Sequence, residues 1–582
     1  MIGLSDSTHS KGRHSPLAGW FLFGRNSVIL SLLVTLFLAI SDSVQAAATI
    51  TAISPSLTDV TRAIASAVDG DTVVVPAGTA HWSTGLSITK GITILGATTI
   101  DTSTALGTAK DQTIILDDMT SALVTPPQLI NISLSPNQVF RMSGFTFRSG
   151  VGTLVNTYVV YVGGTCPGAS GTGSFRVDHC HFDNLKRNVD VQHGGWVYGV
   201  IDHCIMYGSA FSVIVHHDTW GGGSNGNGDG SWADPPFFGS NKFVFIEDNC
   251  FTNVTGSANG GGSSFDAKWG GRAVIRHNFF NNAMISCHGT EGQRPRGCRA
   301  LEIYNNISNF TFNWPCGQIR SGTAVIHDNA STGLLNGFIF LQPYRAFSNF
   351  GQPWTQATGI NPWDSNDPHG AYDSGTQTGA SSSSALVDST KKWTNNQWIS
   401  DSSGCYKAVS SVVNADGSHW SAFITGNSSN TLTLAPGDQP NRTVTFNTGN
   451  GYTIYKVAII LDQPGRGASD LITGTTPINS VTGNAAWPHQ ALEPVYSWNN
   501  TIHGGTPSPV GGNATLISGR DYFNDTPMPG YTPYTYPHPL VTGAPAPPTN
   551  LRAIPQASPV EVRSGSIRFF LDRTPRFRHI PQ

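Results

Sequence analysis

The residues best placed for chemistry recur at one position of a short repeated phrase. The phrase reads as an apolar residue, a variable residue, then His, Asp or Asn, then Asn or Cys, and often an aromatic residue. Its variable second position holds Asp178, Asp202, Glu247, Arg276, Tyr304 and His327 in chain order. If the phrases stack, three acids and an arginine form a column, and like charges so close either raise their pKa values or share a cation. Ca²⁺ accepts several carboxylates in a loose oxygen cage, so a calcium site is one interpretation and a column of solvated acids is the other.

A second cluster lies between Cys287 and Arg299, where a histidine and a glutamate stand among arginines. Its members are His288, Glu291, Arg294, Arg296 and Arg299. Arginines pair with carboxylates or sulfates through two hydrogen bonds, and a histidine or glutamate beside them can move a proton. The cluster is therefore a candidate site for a polyanionic sugar, with a structural turn as the alternative. Just before it in the chain, Lys268 and Arg272 add charge.

A third feature is His216-His217-Asp218, which is followed by a glycine-rich stretch containing Trp220 and Trp232. Adjacent histidines on a strand point to opposite faces, so a zinc site here is weakly supported. The stretch is better interpreted as a loop over a binding groove, whose tryptophans could stack on sugar rings.

The spacing of the phrases predicts the elements that would position these residues. Successive phrases are offset by 24, 45, 29, 28 and 23 residues, and the longest offset is either two short turns or one turn with an insertion. A period in the twenties indicates a solenoid, in which coils about 4.8 Å apart bury their apolar residues on one another. The fourth position would form a second, structural ladder at a bend. That ladder comprises Cys180, Cys204, Asn249, Asn278, Asn306 and Asn329.

The rest of the chain divides around this solenoid. Residues 1–46 have the charged, apolar and small-residue order of a secretory signal peptide. Residues 47–380 are predicted to form the solenoid, and the apolar periodicity of Asp59 to Val68 predicts a capping helix with Thr58 or Asp59 as its N-cap. Residues 381–457 read as a small inserted β-domain, 458–543 as final coils and a C-terminal cap, and 544–582 as a Pro-rich linker with a disordered or truncated tail.

Composition agrees with an all-β protein and excludes several partners. Glycine accounts for 65 of 582 residues and charged residues for only 12%. The 33 basic and 36 acidic residues nearly balance, so no net field attracts nucleic acid or an anionic membrane. The eight cysteines contain no CxxC pair; after export some could pair, and Cys287 with Cys298 could close the loop between them.

Several stretches resemble one family. The opening helix, "GDTVVVPAG", "GITILGA" and the repeated "HNFF" and "YNN" phrases resemble the pectate-lyase-like group of right-handed parallel β-helix proteins, over roughly residues 50 to 350. The resemblance implies a secreted all-β protein whose fold is a right-handed parallel β-helix. It also implies Ca²⁺ held by Asp178, Asp202 and Glu247, with Arg276 as the base beside a sugar carboxylate and Lys268 as the alternative base.

We therefore expect a secreted or cell-surface protein, with the periplasm as the alternative location, that acts on an acidic polysaccharide as a lyase. A glycoside hydrolase on the same fold and a non-catalytic adhesive rod are the alternatives. Apart from possible Ca²⁺, no cofactor is expected, and the protein is expected to be a monomer. No P-loop and no Gly-x-Ser-x-Gly motif is present, so nucleotide-dependent and typical esterase chemistry lack support.

Overall fold

The structure is a computed structural model. It describes residues 47–121, 126–151, 157–164, 173–185, 187–208, 211–221, 228–254, 263–289, 296–342, 371–399, 405–413, 419–435, 445–457, 462–467, 491–503, 505–507, 510–512, 516–542 and 550–552. The expected signal peptide (1–46) lies outside the described residues. Among those that are described, no helix is long and apolar enough to cross a membrane.

The fold is a parallel β-helix, as the resemblance implies, and its coils have three walls. Wall 1 is a 13-stranded parallel sheet, and its six strands from Ser174–Asp178 to Thr323–His327 carry the repeated phrase. The 13 strands are Ala48–Thr51, Thr72–Val74, Thr93–Leu95, Val139–Ser143, Ser174–Asp178, Tyr198–Asp202, Val244–Glu247, Arg272–Arg276, Ala300–Tyr304, Thr323–His327, Val495–Trp498, Tyr522–Asn524 and Asn550–Arg552. The phrase's first residues, from Val177 to Ile326, all point into the core.

Walls 2 and 3 follow wall 1 in each coil. Wall 2 comprises Gly78–Trp82, Thr113–Asp117, Thr146–Ser149, His181–Asp183, Ile205–Tyr207, Cys250–Thr252, Phe279–Asn281, Thr501–Ile502 and the first parts of Ile307–Ile319 and Ala330–Leu341. Wall 3 comprises Leu86–Ile88, Ile130–Leu134, Tyr158–Gly164, Val189–His193, Phe211–His216, Ser263–Lys268, Met284–Cys287, Gly511–Gly512 and the last parts of Ile307–Ile319 and Ala330–Leu341. Thr506–Pro507 pairs with Thr501–Ile502 in the antiparallel direction.

The bend between walls 1 and 2 is built as the fourth-position ladder predicts. The amide of Asn278 donates to the carbonyls of Ile246 and Arg276 and to Asn306, and its oxygen accepts from the backbone of Asn249. The residue before each ladder position has a positive φ, as in His277 at +57° and Asn305 at +55°. Each ladder amide thus satisfies buried backbone groups where the chain turns.

Capping elements and an inserted domain complete the fold. The first helix is Leu57–Ser66, and its N-cap is Ser56 rather than Thr58 or Asp59, because the Ser56 hydroxyl accepts from the Asp59 amide. Two short helices are Asp229–Ala233 and Pro539–Thr542, and two hairpins pair Thr99–Asp101 with Thr108–Lys110 and Arg466–Gly467 with Ala491–Leu492.

The inserted domain is a six-stranded antiparallel sheet that begins earlier than predicted, at Ala371. Its strands are Ala371–Thr376, Ala385–Val387, Cys405–Val413, His419–Asn427, Thr431–Ala435 and Gly451–Val457. Trp393 and Trp398 fill its core.

A C-terminal segment (residues 526–542) covers the outer face of wall 1. Its Tyr534, Leu540 and Val541 pack on an apolar cluster that includes Phe245 and Val274. Within the predicted tail, Asn550–Arg552 adds a strand beside Ala48–Thr51, and the rest of that tail lies outside the described residues.

Candidate functional site

The predicted acidic column exists, but it is buried. Asp178, Asp202, Glu247 and Arg276 are register partners on successive strands of wall 1, so the offset of 45 residues is one coil carrying an insertion. All four side chains have no exposed surface. The C-terminal segment lies over them, because the backbone amide of His538 donates to Glu247 and Arg276 donates to the carbonyls of Tyr534 and Thr535.

The carboxylates of the column are engaged by arginines. Asp178 accepts two hydrogen bonds from Arg141, and Asp202 accepts two from Arg176. Glu247 accepts from Arg276 at 2.6 Å. Burial opposes ionisation, but Arg141, His179 and Arg176 hold the pKa of Asp178 far below its usual range. The interpretation of Asp178, Asp202 and Glu247 as Ca²⁺ ligands therefore does not fit, and no group of three or more such side chains within the described ranges is arranged to hold a metal ion.

Arg276 does not fit the role of a base that reaches a substrate. Its guanidinium is fully buried between Glu247, the Tyr304 hydroxyl and the two carbonyls of the C-terminal segment. Such an arginine holds two elements together, and its cation stacks over Phe245 at 4.9 Å.

Most of the predicted sugar-binding residues are also structural. Arg296 makes two hydrogen bonds to Asp462, Arg299 makes two to Glu493, and Arg272 donates to the Pro235 and Pro236 carbonyls. Trp220 and Trp232 are buried beneath these guanidinium groups, with Arg272 4.4 Å from the Trp220 ring and Arg296 5.0 Å from the Trp232 ring. They close the corner of the solenoid, so they cannot stack on a sugar. Glu291 and Arg294 lie outside the described residues.

The outer face of wall 3 brings together a different set of polar residues. Val213, Phe265 and Ile285 point into the core, so the residues that follow them in these strands point outward. The outward positions place Asp266 and Lys268 on one strand, His216 on the coil before it, and His288 and Arg320 on the two coils after it. We call these five residues, together with Gln192, the wall-3 cluster. Gln192 contacts His216 at 3.4 Å, and at about 4.8 Å per coil the cluster extends over about 19 Å.

An aspartate and a histidine form the centre of the cluster. Nδ1 of His288 lies 2.7 Å from Oδ1 of Asp266, and the Asp266 side chain is buried. Oδ2 of Asp266 has no hydrogen-bond partner among the described residues. Burial raises the pKa of Asp266, but His288, Lys268 and Arg320 outweigh it and hold that pKa below its usual range. The result is an ionised, buried carboxylate with one unused oxygen and three cationic or basic neighbours.

Sequence reasoning found part of this cluster. Lys268 and His288 were predicted as catalytic candidates, and the structure brings them to one face. Arg320 and Gln192 were missed as site residues, and His216 was considered only for a weakly supported zinc site, because wall 3 carries no repeated phrase. Its alternation of apolar and polar residues, as in Phe265-Asp266-Ala267-Lys268, was the available signal.

Comparisons with known proteins give fold likenesses only. No family model and no curated protein sequence matches the chain. Among solved structures, an alginate lyase from Paenibacillus sp. str. FPU-7 is 14% identical with a TM-score of 0.29, covering 50% of this chain and 97% of that one. A pectin methylesterase mutant in complex with a hexasaccharide is 13% identical with a TM-score of 0.22, covering 50% of this chain and 80% of that one. Likenesses of this size say nothing about the reaction, so the chemistry must be argued from the site.

Proposed function

We propose that this protein is a polysaccharide lyase that cleaves an acidic glycan by β-elimination on the outer face of wall 3. The observation that carries the proposal is the Asp266–His288 pair at 2.7 Å, flanked by Lys268 and Arg320 on neighbouring positions. A stack of parallel coils suits a linear polymer. Two cations beside a base suit a sugar that carries a carboxylate.

In the proposed reaction Arg320 pairs with the sugar carboxylate and stabilises the negative charge that develops next to it. Nδ1 of His288 is engaged by Asp266, so His288 takes the proton on C5 through Nε2, and the Asp266 carboxylate stabilises the imidazolium that forms. The electrons of the broken C5–H bond form a double bond between C4 and C5, and the C4–O bond breaks. Lys268 gives its proton to the leaving oxygen. No step passes through Ca²⁺.

The first test uses purified protein and a panel of uronate polymers. The elimination product absorbs in the ultraviolet, and hydrolysis creates reducing ends without that absorbance. We expect absorbance to rise with the wild type, and to rise at least about 100-fold more slowly with Asp266→Asn or Lys268→Met, because each variant removes a charge used in the transition state. His503→Gln, an exposed histidine outside the cluster, is the matched control.

Other outcomes would replace the proposal. If reducing ends appear without absorbance, the hydrolase is favoured. If both signals are absent on every polymer, a non-catalytic rod is favoured. Repeating the assay with a chelator tests the calcium expectation independently.

We also propose that the protein acts outside the cytoplasm, because the proposed polysaccharide substrate is found there. Residues 1–46 also have the charged, apolar and small-residue regions of a secretory signal peptide, in that order. Sequencing the N-terminus of the exported protein tests this, and a retained N-terminal segment on intracellular protein would contradict it.

A further inference from the structure

A pocket of about 370 Å³ lies at the bend between walls 1 and 2, and none of its lining residues belongs to the wall-3 cluster. Its floor is the third position of the repeated phrase on three successive coils, which holds His203, Asp248 and His277. Phe279 lies beside them at the start of a wall-2 strand. The volume falls within the range of roughly 300–1,000 Å³ in which proteins bind small organic ligands.

The hairpin of residues 99–110 forms the other side of the pocket and is fixed to wall 2. The side-chain amide of Asn281 donates to the carbonyl of Ala105 at 2.6 Å, and the thiol of Cys250 donates to the carbonyl of Thr104 at 3.2 Å. Because these contacts tie the hairpin to distant coils, the two sides of the pocket are held in place before a ligand binds.

The floor residues are also oriented by their neighbours. Nδ1 of His203 lies 2.8 Å from a carboxylate oxygen of the buried Asp202, which leaves Nε2 of His203 for the pocket. The hydroxyl of Tyr536 donates to Oδ1 of Asp248 at 2.8 Å, and the Tyr536 ring stacks on the His277 ring at 3.8 Å. Asp202 and Tyr536 therefore fix all three floor side chains.

The pocket combines hydrogen-bond acceptors with a donor. Within the described part of the chain neither Asp101 nor Asp248 forms an ion pair with a lysine or an arginine, in contrast to the carboxylates of wall 1. Hydrogen bonding to Asp202, with a contribution from Asp248, raises the pKa of His203, so its ring acts as a donor. The two carboxylates repel an acidic ligand, whereas a hydroxyl group can donate to a carboxylate and accept from an imidazole.

We propose that this pocket binds a neutral sugar of a glycan, separately from the reaction on wall 3. The sugar hydroxyls donate to Asp101 and Asp248 and accept from His203, and the apolar face of the sugar packs on the half-buried ring of Phe279. Binding here holds the protein on a polymer and does not require the lyase reaction.

Isothermal titration calorimetry of the full chain tests the pocket. The probes are tetrasaccharides of glucose, mannose and galactose, with tetrasaccharides of galacturonate and glucosamine for comparison. We expect a neutral tetrasaccharide to bind, and Asp248→Asn and Asp101→Asn each to weaken its binding about 10-fold or more, because each variant loses a charged acceptor. Both variants should fold, because Asp248→Asn keeps an oxygen for Tyr536 and Asp101 is exposed on the hairpin.

Two controls separate the pocket from other causes. Asp328→Asn changes the same position of the phrase outside the pocket and should leave the affinity unchanged. Lys268→Met should also leave this binding unchanged although it stops the proposed lyase reaction, so the two proposals can fail independently. The proposal is overturned if no neutral tetrasaccharide binds, if only the galacturonate or glucosamine tetrasaccharide binds, or if Asp248→Asn binds the neutral one as the wild type does.

Discussion

At the scale of single residues, Lys268 and Arg276 show why charge alone does not identify a catalytic group. They lie close in the sequence, but Lys268 projects from wall 3 beside Asp266, whereas Arg276 projects from wall 1 under the C-terminal segment. Arg276 has Glu247 as a buried partner, and removing one member of such a pair leaves an uncompensated charge. Replacing Arg276 should therefore lower the stability of the protein, whereas replacing Lys268 should lower its activity.

We predict that Arg276→Met lowers the free energy of unfolding by about 3–5 kcal/mol, while the activity per folded molecule stays near that of the wild type. Lys268→Met should do the opposite, with little change in stability and a fall in kcat/KM of about 100-fold or more. Chemical denaturation and active-site-normalised kinetics measure both. A normal stability with lost activity in Arg276→Met would restore the wall-1 column as the catalytic site.

At the scale of elements, the sequence was informative where the chain repeats. Aligning the phrases gave six strands of wall 1, the direction of Val177 and Ile201 into the core, and the asparagine ladder, because stacked coils impose the same requirement on each phrase. The phrases left open whether the 45-residue offset before Glu247 held one coil or two, and the structure has one, with Glu247 beside Asp202. They could not show that this face is covered, because the covering segment lies 291 residues from Glu247 in the chain.

The ladder leads to a prediction about stability. Asn278 is 1% exposed, and its amide satisfies two backbone carbonyls and one backbone amide. Asn278→Ala leaves these groups unpaired, so we expect a loss of about 3 kcal/mol or more in the free energy of unfolding.

Asn305→Gly is the matched control for this variant, because Asn305 is exposed on the next coil and glycine accepts its φ of +55°. The control should unfold within about 0.5 kcal/mol of the wild type. Equal losses in the two variants, measured by chemical denaturation, would contradict a structural role for the ladder.

At the scale of the whole molecule, the C-terminal segment joins the end of the chain to the middle of the solenoid. Arg176 donates to the carbonyls of Leu540 and Val541, and Tyr531 donates to Glu302. The His538 ring packs 4.6 Å from Phe245. The C-terminal segment covers the row of buried ion pairs on wall 1. We therefore expect these ion pairs to depend on the segment for their stability.

The buried histidine of this segment makes its attachment depend on pH. Burial, with a contribution from Arg276, lowers the pKa of His538 to about 4. The unfolded chain protonates this histidine at about pH 6.5, while the folded protein resists protonation until about pH 4. The stability contributed by a neutral His538 is therefore complete above pH 6.5 and is lost as the pH falls toward 4.

Other buried groups titrate in the same range, so a variant must isolate the effect. Burial raises the pKa of Glu247 and of Glu302, and the stability that follows from their protonation is lost as the pH rises. Both groups are present in His538→Gln, and their contributions cancel when that variant is compared with the wild type. Between pH 6.5 and 4 the wild type should lose about 3 kcal/mol more in unfolding free energy than His538→Gln. Parallel pH profiles of the two proteins would show that His538 titrates normally and that the segment does not hold it buried.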